Sequence, residues 1–190
     1  PHPITQCYLQ AVGDLGYQAI PEHNAASMAG PTLNTLTIKD GERFSVYDAY
    51  LRPVRSRPNL EVIDQCLVDK LLFDQVNRCR GVSVVRSGQV WEIWADVAVV
   101  LCAGTVGSPQ ILMRSGIGCS AKLESIDIPV LADSPKVGEN LHDHLLGAGN
   151  VYLSKRKVPT SAYQHSESLF YAGSENDKEA PKKVVACVSL

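Results

Sequence analysis

The sequence lacks the features that mark several broad classes of protein. Its six cysteines contain no CxxC pair, so a structural zinc site with clustered thiolate ligands is not expected. Its longest unbroken apolar run, residues 97–103, is far shorter than the roughly 20 residues that a membrane-spanning helix needs. Lysine and arginine total 18 against 20 acidic residues. This near balance carries no electrostatic signature of nucleic-acid or anionic-membrane binding.

What is present is typical of a folded globular chain. Hydrophobic residues make up 45% and charged residues 20% of the 190 positions, which argues against a disordered or coiled-coil protein. The cysteine density is too low for a disulfide-stapled secreted domain, so we expect reduced thiols and a cytoplasmic protein. The first residue is Pro1 rather than Met, and residues 183–190 resemble a strand that stops abruptly. We therefore expect a piece of a longer protein.

Local patterns predict a mixture of helices and strands. Apolar spacing close to 3.6 predicts a helix over residues 3–16, and a Gly- and Pro-rich composition predicts a loop over 17–34. Ser45 and Asp48 form a capping-box-like start for a helix over 46–51. Ser87-Gly88 predicts a hairpin turn. Strands are predicted at residues 35–38, 61–63, 66–73, 80–86, 89–95, 97–101, 129–132, 151–153 and 183–188.

The most informative stretch begins at residues 97–101, which are wholly apolar and largely β-branched. Such a strand is usually buried on both faces of a parallel sheet. A turn containing Ala103 and Gly104 follows, and Ser108 then predicts an N-cap, with Pro109 in the first helical position. Ligands of open α/β sheets bind beyond the carboxyl ends of strands, where small residues allow close approach to the backbone.

These residues resemble the glucose–methanol–choline (GMC) oxidoreductases, flavoenzymes that oxidise alcohols. Residues 104–118 fit the family's second signature at every defined position, and residues 138–144 look like its recurring GxNLxDH segment. Residues 146–150 and 164–168 resemble the pyridoxine 4-oxidase-like members. The resemblance implies an α/β fold, namely a fragment of a FAD-binding Rossmann-like domain plus the beginning of an antiparallel-sheet substrate domain. It places residues 1–144 in the first and 145–190 in the second.

The resemblance also implies a cofactor, FAD, and a small-molecule alcohol as substrate. Val68 would meet the adenine through its backbone, while Ala103 and Gly104 would lie beside the adenine and ribose. Ser108 completes the implied cofactor-binding set. The family's GxGxxG fingerprint and its catalytic histidine match nothing here. We therefore assign no catalytic residue, expect the remainder of a parent chain as partner, and expect the isolated chain to be inactive.

Other interpretations stay open from the sequence. The chain could be a non-catalytic adenine-nucleotide-binding or interaction module, or part of a lyase that keeps FAD without net redox turnover. His142 and His144 flank Asp143 and could ligate a metal, but further ligands are lacking, so a structural role is favoured. His165 is expected in an exposed polar loop.

Overall fold

The structure, a computed structural model, describes residues 1–26, 28–143, 153–160, 166–172 and 184–189. The described chain divides into two compact units, Pro1–Leu60 with Asn150–Leu190, and Glu61–Gly149. Its helices are α1 Pro3–Asp14, α2 Gly104–Arg114 and α3 Ser120–Glu124, with a π-helical turn Tyr47–Leu51 and a 3-10 turn Arg52–Val54. Its strands are β1 Gly30–Leu33, β2 Ile38–Lys39, β3 Glu42–Arg43, β4 Leu67–Phe73, β5 Cys79–Arg86, β6 Gln89–Trp94, β7 Ile117–Gly118, β8 Ala132–Asp133, β9 Ser166–Ala172 and β10 Val184–Ser189. The fold is therefore a mixture of helices and mainly antiparallel sheets.

The first unit is built on an antiparallel sheet in the order β1-β9-β10. The sequence predicts a loop over residues 17–34, but the structure has strand β1 there. Its Gly30 pairs with Tyr171, far along the chain. A glycine and a proline start this strand, so local sequence does not reveal it. The capping box at Ser45 is confirmed: its amide and hydroxyl donate to the Asp48 carboxylate over 3.0 and 2.6 Å.

A buried carboxylate fastens α1 to this sheet. Glu167 of β9 is 5% exposed, and its Oε2 accepts the His2 amide at 2.6 Å and the Thr5 hydroxyl at 3.2 Å. His2 Nδ1 accepts the Ile4 amide, and its Nε2 lies 2.9 Å from the Pro159 carbonyl oxygen. Charge-assisted bonds of this kind are the stronger hydrogen bonds in proteins, so Glu167 holds the start of α1 in place.

The second unit contains the antiparallel sheet β4-β5-β6. Its β5–β6 turn is Ser87-Gly88, as the sequence predicts, and both residues have the positive φ of a type I′ turn. β6 is an edge strand, and both Trp91 and Trp94 on it are exposed. Among the described residues, the small core of this unit includes Val84, Ile111 and Leu123.

The predicted strand at residues 97–101 is wrong. Within the described ranges this segment joins none of the sheets and carries no helix. Val97 and Val100 remain 86% and 82% exposed. Apolar, β-branched composition favours a strand but cannot form one without a neighbouring strand to exchange hydrogen bonds.

Other predicted strands also change. Residues 61–63 form no strand, β2 retains only the end of the predicted segment 35–38, and β8 lies at the end of 129–132. β4, β5, β6 and β10 confirm their predictions to within two residues. Most of the predicted strand 151–153 lies outside the described residues, and Leu153 is irregular.

Short helix α3 is capped from β8, and this contact predicts a response to acid. The backbone amide and hydroxyl of Ser120 donate to Asp133 Oδ1 over 2.9 and 2.7 Å, which lowers the pKa of that carboxyl below its ordinary 3.8. A lowered pKa means that the contact stabilises the fold above the ordinary value and is lost as the pH falls through the lowered one. The NMR shift of the Ser120 amide should titrate with a midpoint below 3.8. Asp133→Asn should abolish this transition, and a midpoint above the ordinary value would contradict the cap.

Candidate functional site

A cavity of about 1010 Å³ lies in the second unit, against β4 and the start of α2. It brings together two residues that the sequence analysis singles out, Val68 and Ala103. Its walls are mainly apolar: Cys66, Leu67, Val68, Asp69, Val82, Val99, Val100, Leu101, Cys102, Ala103, Gly107, Gln110, Ile111, Met113, Arg114, Ile126 and Ile128. The charged lining residues are Asp69 and Arg114, and these form an ion pair with each other. The cavity therefore suits a largely apolar group better than a charged one.

The corner beside the cavity is formed by the start of α2. Gly104 has a φ of +80°, a left-handed value that disfavours other residues, and a Cβ added there would meet nothing within 4 Å. The chain therefore turns directly from Ala103 into the helix. A Cβ added at Gly107 would lie 3.1 Å from the Ala103 Cβ, so the first turn of α2 packs closely on the corner.

The predicted N-cap at Ser108 is wrong. α2 already begins at Gly104, its N-cap is Ala103, and Pro109 lies inside the helix. Ser-Pro is a strong local start signal, but the positive φ of Gly104 lets the helix begin a full turn earlier. The Ser108 hydroxyl instead accepts the Ala103 amide at 3.1 Å. A side chain of α2 thereby provides the hydrogen-bond acceptor for the Ala103 amide at the corner.

Val68 lies in β4, opposite Val84 of β5. The register shifts between Val68 and Lys70, so Asp69 is left without a cross-strand partner. Bulges of this kind bend a strand and redirect its backbone groups, and they are common next to functional sites. The bulge therefore lies directly beside the residue proposed to meet a ligand through its backbone.

A smaller cavity of about 460 Å³ lies between α2 and residues 138–142. Asn140 has a φ of +57°, and its carbonyl oxygen lies 2.7 Å from His142 Nδ1. Lys122 donates to Glu139, which raises the pKa of Lys122 and lowers that of Glu139. This exposed pair ties the segment to α3.

The candidate histidines are only partly described. His144 and His165 lie outside the described residues, so no structural statement is made about their suggested roles. Within the described part of the chain, no group of three or more His, Cys, Asp or Glu side chains could hold a metal ion. The described cysteines at positions 7, 66, 79, 102 and 119 are free thiols. No helix in those ranges combines the length and apolar character that crossing a bilayer requires.

Sequence reasoning missed Asp69, Arg114 and Ser115, which connect β4 to α2. Arg114 and Ser115 lie within the stretch 104–118, at the end of α2. Their partners lie more than forty positions upstream, as the pairs Arg114–Asp69 and Ser115–Leu71 show. No local spacing reports such a contact. The signal that the sequence does offer is a polar residue, Ser115, directly before Gly116 at the end of the helix.

Comparison with known proteins places this geometry in a family. A family model described as "GMC oxidoreductase" matches residues 1–146. Pyridoxine 4-oxidase of Microbacterium luteolum is 38% identical over 97% of this chain, which spans 37% of that protein. Mitochondrial choline dehydrogenase of Mus musculus is 40% identical over 76% of this chain and 24% of its own length.

Solved structures agree. The crystal structure of a pyridoxine 4-oxidase from Mesorbium loti superposes with a TM-score of 0.87 at 38% identity, covering 98% of this chain and 37% of that one. A formate oxidase structure superposes with a TM-score of 0.65 at 30% identity over 73% of this chain and 24% of its own. The chain thus spans well under half the length of these relatives.

Proposed function

Because this chain belongs to the GMC oxidoreductase family, we propose that it is part of a FAD-dependent oxidoreductase that oxidises the CH–OH group of a small alcohol. The similar proteins named pyridoxine 4-oxidase and choline dehydrogenase support this reaction class. The observation that carries the proposal for this chain is the shared cavity. Val68 and Ala103, which are 35 positions apart in the numbering, line one mainly apolar space.

The residues of the cavity fit the adenine end of FAD. Val68 supplies a wall on a bulged strand, and Ala103 supplies a corner with no side chain beyond Cβ. Open space at Gly104 leaves its backbone accessible. Ser108 contributes indirectly, because its hydroxyl accepts a hydrogen bond from the Ala103 amide. In this proposal Val68, Ala103 and Gly104 touch the nucleotide, and Ser108 fixes the corner.

FAD, when bound, supplies the redox chemistry by accepting a hydride from the substrate carbon. The residues of this chain bind and orient the cofactor and keep water from its adenine end. No described side chain is proposed as the base that takes the hydroxyl proton. We place that group in the remainder of the parent chain.

The exposed apolar segment supports the need for that remainder. Val100 lines the cavity, Val97 lies three positions before it, and both side chains are almost fully exposed. Burying such side chains would stabilise the fold by about 1.5–3 kcal/mol each. We propose that residues 1–144 belong to the FAD-binding region and 145–190 begin the substrate domain, a division supported by the family match ending at 146. The free cysteines support a cytoplasmic location.

Filling the corner tests the proposed function. Ala103→Leu adds three carbons to the cavity wall and should lower FAD affinity of the whole protein at least about tenfold, the scale of 1.4 kcal/mol. Binding is measured by calorimetric titration of the apoprotein with FAD. Ala121→Leu adds the same volume at an exposed position of α3 and should leave affinity unchanged.

The same titration separates the alternatives. Equal FAD affinity for Ala103→Leu and the wild type would argue against the corner as a binding site. If the 190-residue chain alone binds ADP strongly and the whole protein oxidises no alcohol, the non-catalytic module is the better description. Flavin reduction by an alcohol without oxygen would exclude the lyase.

A further inference from the structure

We propose that Arg114 and Ser115, at the end of α2, are positioning residues that hold the bulged strand β4 at the distance from Ala103 that adenine binding requires. This inference rests on the proposed function, because it assigns a role at the same cavity. It concerns residues that do not themselves carry the implied nucleotide contacts. Both reach β4 within three positions of Val68.

Ser115 joins helix and strand through one hydroxyl. Its Oγ accepts the Leu71 amide at 2.8 Å and donates to the Ile111 carbonyl at 2.5 Å. β4 is an edge strand of its sheet, so an amide that points away from β5 has no strand partner. A backbone donor left unpaired in a partly buried place costs about 1–3 kcal/mol. Ser115 removes that cost and fixes the strand at Leu71.

Arg114 fixes the bulge itself. Its Nε donates to the Asp69 carbonyl at 3.2 Å, and its terminal nitrogen donates to the Asp69 carboxylate. Asp69 is the residue that the β4–β5 register leaves unpaired. The guanidinium therefore supplies the partner that β5 does not. Two donors in a fixed fork define orientation as well as distance.

The helix between these contacts acts as a spacer. α2 carries the Ala103–Gly104 corner at its first residue and the two contacts at its end, about 16 Å away for eleven residues. Its Ile111 is buried among the cavity walls. The distance between the two walls is thus set by one rigid element. Without the contacts at Asp69 and Leu71, the bulge would lose the hydrogen bonds that join it to the end of α2.

The ion pair is too exposed to matter much for stability. The Arg114 and Asp69 side chains are 59% and 28% exposed, and solvent screening leaves such pairs with little net stabilisation. Loss of the pair should therefore appear in nucleotide affinity rather than in thermal stability. This separates a positioning role from a merely structural one.

The test uses the whole protein and two independent variants, Ser115→Ala and Arg114→Gln. Each should weaken FAD binding and ADP competition about five- to tenfold, the scale of one lost hydrogen bond. Ser115→Thr, which keeps the hydroxyl, should restore most of the affinity.

Two matched controls accompany these variants. The Ser125 hydroxyl donates to the Lys122 carbonyl at 2.7 Å, in the same kind of helix-end bond, without a strand contact. Arg52 pairs with Asp48 in the other unit. Ser125→Ala and Arg52→Gln should leave FAD affinity unchanged.

The outcomes are distinguishable. If the wild type binds neither FAD nor ADP, the proposed function itself fails. If the wild type binds FAD and both variants bind it equally well, only the positioning role is overturned. A loss of affinity in Arg114→Gln that simply follows a loss of melting temperature, or a loss in Ser115→Ala that Ser115→Thr does not repair, also overturns it. Should Ser115→Ala fail to fold, Arg114→Gln decides the matter.

Discussion

Replacement of Gly116 by alanine is expected to lower the free energy of unfolding by about 3 kcal/mol, within the tail of severe single mutations. Gly116 follows the end of α2 with a φ of +83°. A Cβ there would lie 2.5 Å from the Pro129 carbonyl oxygen and 3.1 Å from the Leu131 Cβ. The carbonyl of Gly116 also accepts the Leu131 amide at 2.8 Å, so the approaching chain cannot simply withdraw. Urea unfolding followed by far-UV circular dichroism measures the loss.

Gly16 provides a matched control for this prediction. It follows the end of α1 in the same way, with a φ of +92°, but a Cβ there meets nothing within 4 Å. Gly16→Ala should therefore cost only the left-handed conformation, about 1–2 kcal/mol. The difference between the two variants isolates the steric contact with residues 129–131. Equal losses would show that the chain at Pro129 yields and that close packing there is unimportant.

Removal of the Glu167 carboxylate is also expected to lower the free energy of unfolding strongly. Glu167→Ala leaves the His2 amide and the Thr5 hydroxyl without this acceptor and opens space in a place that is 5% exposed. Leaving buried donors unpaired beside a lost charge-assisted bond should cost about 3 kcal/mol. Thermal unfolding by calorimetry measures it. Glu22→Ala, at an exposed position of the same unit, should cost little.

A double-mutant cycle separates the bond to Thr5 from the rest. Thr5 is fully buried, and Thr5→Val keeps its shape while removing its hydroxyl. The coupling between Thr5→Val and Glu167→Ala should be about 1 kcal/mol, the usual net value of one hydrogen bond. Additive losses would mean that the carboxylate does not stabilise the fold through Thr5.

The elements that the sequence predicts well depend on neighbouring residues. The Ser45–Asp48 capping box and the Ser87-Gly88 hairpin are decided within a few positions, and both are confirmed. β1 depends instead on pairing with β9, whose residues lie more than 130 positions away. Its short Gly-Pro start gives no local signal. Long-range pairing of this kind cannot be read from a single segment.

Two predictions beside the cavity are wrong for a related reason. The sequence predicts that α2 begins after an N-cap at Ser108, but the left-handed Gly104 permits an earlier start. The φ of a residue cannot be inferred from the types of the residues next to it. Residues 97–101 have the composition of a buried strand but no strand partner in the described chain. The flavoprotein assignment does not need that strand. It depends instead on the family match and on the cavity, whose cofactor contacts stay a prediction.

The edge position of β6 decides which spectroscopic probe can report on these variants. The chain has two tryptophans, and both lie exposed on this one strand. Their indole rings already contact water, so their emission should be red-shifted in the native state and should change little on unfolding. Intrinsic tryptophan fluorescence should therefore change little when a substitution at Glu167 releases α1. A tryptophan placed at Phe170, where the ring packs 4.7 Å from that of Tyr17, would give that unit a signal of its own.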